Sequence, residues 1–86
     1  MATTQTLEDS YQVRVEEPRR TPGATYYTRV FRVPVHALDA LMPAVGDVAR
    51  DDAAEIVVSA VPHTRQGALA AWLSVVYMKR IAGSVA

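Results

Sequence analysis

Five prolines, at positions 18, 22, 34, 43 and 62, bound every regular element this chain can form. Proline has no N–H to give to a helix or sheet ladder and fixes its own φ, so each one marks a boundary, a kink or a sheet edge. Pro18 and Pro22, with Gly23, force a turn somewhere in 17–24 (EPRRTPGA). Before that turn, Tyr11, Val13 and Val15 alternate with Gln12, Arg14 and Glu16, the period of two expected of a half-buried strand. After it, 25–33 (TYYTRVFRV) is rich in aromatic and β-branched residues and predicts a second strand, closed by Pro34. The two strands are expected to pair antiparallel across a long connection. One face of the second strand carries Tyr27, Arg29, Phe31 and Val33 and is the expected core side. The other carries Tyr26, Thr28, Val30 and Arg32 and is expected to be only partly covered.

Pro34 is also suited to the start of a helix, where its missing N–H does no harm. Val35, Leu38, Leu41, Met42, Val45 and Val48 then recur at three- and four-residue steps and form one apolar helical face. Pro43 interrupts that face, which predicts a kink or two short helices breaking near Met42. A third strand is expected from 55 to 61, ended by Pro62. The last element is ambiguous: 68–73 favours helix, whereas 72–81 is half aromatic or β-branched. As a helix it would end with Lys79 and Arg80 in its last turn and Gly83 just beyond. As a strand it would form a hairpin with 55–61 through the loop PHTRQG. The helix is the preferred reading. The expected fold is α+β: a small antiparallel sheet, hairpin–helix–strand, packed on one or two helices. Residues 1–10 are expected to be a flexible lead-in to a single domain over 11–86.

Cysteine is absent, so no disulfide or thiolate metal site reinforces a core this small. The two histidines, His36 and His63, stand apart, and no zinc-binding spacing occurs. Asp39 lies within helical reach of His36, but a surface histidine beside a helical acid is the plainer reading. With no nucleophile–base pattern and no Gly-rich phosphate loop, the chain is expected not to be an enzyme and to need no cofactor or metal. Its nine basic and nine acidic residues balance, which argues against nucleic acid as a partner and suits life inside a complex. The apolar-rich run 68–78 is shorter than the roughly 20 residues a spanning helix needs, and the N-terminus resembles no signal or transit peptide. A cytoplasmic protein is expected.

Arginine mixed with tyrosine is the pattern of protein-contact anchors. The predicted partner-binding residues are therefore Arg19, Arg20, Tyr26, Val30 and Arg32 from the first hairpin and Trp72 and Tyr77 from the last element. The partner is expected to be a larger protein assembly or a second copy of the chain. Two alternatives remain: an accessory subunit sensing an anion through His63, Thr64 and Arg65 in the 62–67 loop, and a weak nucleic-acid binder using Arg14, Arg19, Arg20 and Arg32 on the Arg/Tyr strand face.

Arg19 and Arg20 with Gly23, the step Val30-Phe31-Arg32-Val33-Pro34, the helix with Leu38 and Leu41, and the run from Ile56 to Pro62 together resemble the small phycobilisome linker domain. That family caps phycocyanin rods or sits in the allophycocyanin core. The resemblance spans residues 11–67 and implies a non-enzymatic linker that docks into a light-harvesting antenna by burying aromatic and arginine side chains in a partner cavity.

Overall fold

The computed structural model describes residues 7–54 and 56–81. It is an α+β fold of one antiparallel sheet with a helical layer on one face. The strands are β1 (Gln12–Val15), β2 (Arg19–Thr21), β3 (Ala24–Pro34), β4 (Ile56–His63) and β5 (Ala70–Arg80). β3 and β5 lie in the middle, β4 forms one edge, and β1 and β2 share the other edge alongside β3.

The final element is a strand, which corrects the helix preferred from sequence. β5 pairs in unbroken register with all of β3, from Ala24 opposite Arg80 to Pro34 opposite Ala70, and its other side pairs with β4. Its alternate residues Ala71, Leu73, Val75 and Tyr77 are each 0 % exposed. The pattern was hard to see because the intervening residues, Trp72, Val76 and Met78, are apolar too, which flattens the period-two signal. Local helix propensity is worth tenths of a kcal/mol per residue, whereas each fully buried Leu, Val or Tyr contributes roughly 1.5–3 kcal/mol, so the tertiary pairing wins.

The prolines behave in four ways. Pro22 and Gly23 make a two-residue turn joining β2 to β3, with Gly23 at φ 89°, a value that suits the second turn position of a type II turn. The connection expected to be long is therefore short, and Arg19–Thr21 continues as strand. Between the two ladders Glu16, Glu17 and Pro18 face only Tyr27 and Thr28, an extra-residue bulge that breaks this edge. Pro43 sits in a 3-10 turn, Met42–Ala44, which separates the helices α2 (Leu38–Leu41) and α3 (Val45–Asp51), as the expected break near Met42 requires. Pro62 does not end its strand: it lies inside β4 opposite Leu73, where an edge strand has no need of its N–H.

The helical layer lays Leu38, Leu41, Met42 and Val45 against a core of Phe31, Val33, Val48, Ala49, Leu73, Val75 and Tyr77. The lead-in expected over 1–10 is corrected at its C-terminal end. Leu7–Ser10 is a helical turn, α1, and Leu7 is 2 % exposed in the same core; residues 1–6 lie outside the described residues.

α3 ends in a Schellman motif. The Ala54 N–H donates to the Ala49 carbonyl at 2.7 Å and the Ala53 N–H to that of Arg50 at 3.0 Å. Ala53 takes the left-handed conformation (φ 58°) that this motif usually gives to glycine. The reversal places Asp52 over the sheet.

Candidate functional site

The molecule measures 48 × 38 × 18 Å, thick enough for a sheet and one helical layer. Its radius of gyration is 14.2 Å, against about 12 Å for a compact domain of this length. The helical layer covers the face of Phe31 and Leu73. Among the described residues, no element covers the other face.

Strand register fixes what that open face presents. One transverse row is Gln12, Arg32, Trp72 and His63. The next is Arg14, Val30, Ser74 and Val61, and a row at the far end is Arg19, Tyr26, Met78 and Ile56. Thr28, Val76 and Ser59 lie between. The face thus has a small and apolar middle with an aromatic ring and arginines at each end.

Both rings are met by a guanidinium. Arg19 lies 5.7 Å from the centre of Tyr26, its register partner. Arg14 reaches across β3 from β1 to lie 5.7 Å from the centre of the Trp72 ring. In doing so it crosses the strand at Val30, its own register partner, which is 5 % exposed. Such contacts between partly solvated groups contribute about 0.5–1 kcal/mol each and hold the long side chains flat over the sheet. Trp72 remains 40 % exposed, Val61 46 % and Ile56 38 %.

Charge is segregated. The ladder positions of the open face carry Arg14, Arg19, Arg32 and Arg80 and no acid. Glu16, in the edge bulge, lies 3.4 Å from Arg14. On the helical side stand Asp39, Asp47, Asp51 and Asp52, with Arg50 paired to Asp47. A chain of zero formal charge therefore has a cationic sheet face.

The covered face has a polar cluster of its own. The Tyr77 hydroxyl donates to Asp52 Oδ2 at 2.6 Å, Lys79 Nζ lies 2.9 Å from Oδ1, and Arg29 lies 3.7 Å from Oδ2. Tyr27 and Tyr77 stack with ring centres 5.3 Å apart. Partial burial is the strongest influence on the Asp52 carboxyl and raises its pKa. The Tyr77 and Lys79 hydrogen bonds and the Lys79 and Arg29 charges together outweigh it and hold the carboxyl below its ordinary value. This cluster ties the end of α3 to β5.

Of the seven residues predicted to bind a partner, Arg19, Tyr26, Arg32 and Trp72 come together on the open face. Val30 is on that face but covered. Tyr77, at 0 % exposure, is a core residue, and Arg20 pairs with Thr25 on the opposite parity. Those three are therefore not presented on the open face. Val61 and Ile56 were missed, and Arg14 was singled out only for the nucleic-acid alternative. For Arg14 a signal existed, since its parity opposite Val13 and Val15 already assigned it to the outer side.

The 62–67 loop is also drawn in. His63, Thr64 and Arg65 line a cleft of about 680 Å³ with Arg32, Leu69 and Trp72 at one end of the open face. His36 and Asp39 are both exposed on the helical side. Among the described residues no three His, Asp or Glu side chains converge as a metal site, and no helix is long and apolar enough to cross a membrane. Searches of protein-family models, of curated proteins and of solved structures found no match to this chain.

Proposed function

We propose that the chain is a non-enzymatic docking subunit that attaches to a larger protein assembly through the open face of its sheet. The observation that carries this reading is the uncovered face itself, with Tyr26, Trp72 and four arginines on one side of a slab 18 Å thick. A matching partner surface is apolar at its centre and acidic at its rim, because Val61, Ile56, Val76 and Met78 lie between the cationic ends. Docking by the face fits the state of the edges. One edge is broken by the Glu16–Pro18 bulge, and the other by Pro62 and by a register shift between Val57 and Ser59, so neither offers an unbroken ladder for strand addition.

A light-harvesting antenna, the assembly implied by the phycobilisome-linker resemblance, is the specific form of this proposal. Purification of the tagged chain from its native host, scored by visible absorbance of the eluate, tests that form. The general form is tested by Tyr26→Ala and Arg14→Glu, with fold checked by circular dichroism. Loss of partner recovery with retained fold supports docking, and unchanged recovery in both variants refutes it.

A single-stranded nucleic acid is the second reading, because aromatic and cationic side chains on the two central strands form a stacking platform. Register disfavours it. Tyr26 and Trp72 lie six ladder rows apart, about 20 Å along the strands, too far to stack neighbouring bases. Steep loss of binding between low and moderate salt would reverse this preference.

A further inference from the structure

The cleft at the Trp72 end goes beyond the docking reading. Three elements converge on it: Arg32 comes from β3, Trp72 from β5, and His63 with Thr64 and Arg65 from the end of β4 and its loop. The loop has a defined form, with the Ala68 N–H bonded to the Arg65 carbonyl at 3.1 Å and Gly67 at φ 78°. Past it, the Leu69 carbonyl accepts from the Val35 N–H at 2.9 Å, which anchors the returning chain to the end of β3. Arg65 thus lines the same cleft as Arg32 and Trp72. Among the described residues, no acidic side chain lines the cleft.

Two guanidinium groups in one concave site exceed what a single carboxylate neutralises. A phosphate monoester carries about −1.5 to −2 charges near neutral pH and offers three acceptor oxygens, which suits two arginines with the Thr64 hydroxyl and the His63 ring beside them. The remaining wall is apolar: Trp72 and Leu69, the latter 88 % exposed. That wall favours a ligand with a flat or apolar body attached to its phosphate. We infer that this cleft binds a phosphate monoester carrying a planar ring, with the phosphate between Arg32 and Arg65 and the ring against Trp72 and Leu69. The volume, about 680 Å³, is in the range of small-ligand sites.

Trp72 is the sole tryptophan, so its fluorescence reports this end of the open face, the cleft and the Arg14 contact together. The full chain is titrated with phenyl phosphate, inorganic phosphate, benzoate and an eight-residue oligothymidylate, reading Trp72 emission and, independently, the thermal midpoint. The expected order is phenyl phosphate, then inorganic phosphate, then benzoate, with about tenfold between the first and last. Arg65→Gln and Arg32→Gln should each weaken phenyl phosphate by about tenfold while leaving the circular dichroism spectrum unchanged. Arg65 lies off the sheet ladders, so its variant should leave partner recovery intact and separates this site from the docking face. The inference is overturned by equal binding of benzoate and phenyl phosphate, by an unaltered response in Arg65→Gln, or by silence in both readouts up to about 10 mM phenyl phosphate. Binding of the oligothymidylate with no response to phenyl phosphate also overturns it, in favour of a strand-binding face.

Discussion

The two faces of the sheet use the same residue types to opposite ends. On the covered face Tyr27, Tyr77, Arg29 and Lys79 make ring–cation contacts, and Asp52 gathers the cations and the Tyr77 hydroxyl into one bonded cluster. On the open face Tyr26 and Trp72 each meet an arginine, and no ladder position supplies a carboxylate. The difference lies in one helix end. The Schellman reversal after α3 delivers Asp52 to the covered side, which completes that cluster internally. On the open side, among the described residues, Glu16 lies beside Arg14 and no acid stands at a ladder position, so the arginines there are not gathered into one cluster.

If the comparison is sound, neighbouring residues of β5 should respond very differently to truncation. Leu73→Ala, on the covered side at 0 % exposure, is expected to cost about 2–5 kcal/mol in urea unfolding. Trp72→Ala, next in the chain but 40 % exposed, should cost no more than about 1.5 kcal/mol. Equal losses would mean that the open face is not open.

A smaller effect isolates Asp52. Asp52→Asn removes the charge that Lys79 and Arg29 face and should cost about 1–2 kcal/mol near neutral pH. Because the folded-state pKa is lowered, this stabilisation is complete above the unfolded carboxyl value, about 3.9, and is lost as pH falls through the folded value. The gap between wild type and variant should therefore hold above the unfolded carboxyl value and close as pH falls through the lowered folded-state value. A gap that persists in acid would show that Asp52 acts through shape and not charge.

The reversal can also be improved. Ala53→Gly relieves the left-handed backbone at φ 58° and should stabilise by about 0.5–1 kcal/mol, read as a raised thermal midpoint. A loss instead would show that the alanine methyl packs. The smallest effect belongs to the open face: Arg14→Ala should change stability by less than about 0.5–1 kcal/mol while exposing Val30 and weakening docking.

The first hairpin was legible in its two main strands and its inward parity, though not in β2 or in the short turn at Pro22 and Gly23. The alternation of Val13 and Val15 and the identity of the Phe31 face both matched, because period two in a sheet with one covered side leaves a direct trace in the chain. The helical layer was legible for the same reason at period 3.6, including its break at Pro43. Arg19, Tyr26, Arg32 and Trp72, singled out from sequence, share the open face. Tyr77 was misassigned because an aromatic in an unplaced segment carries no parity until its strand is placed. Asp52 was invisible because its partners lie on strands 23, 25 and 27 positions away in the chain.

Local pattern alone determined where this chain turns, which residues of its first strands face inward, and where its helix breaks. Each depends on a residue's own backbone limits or on its near neighbours. Tertiary structure decided the rest: that 70–80 is a central strand, that one sheet face is covered and the other open, and that His63 and Arg65 meet Arg32 and Trp72. Those outcomes depend on hydrogen bonds and burial between segments far apart in the chain, and their energies exceed the local preferences that pointed elsewhere.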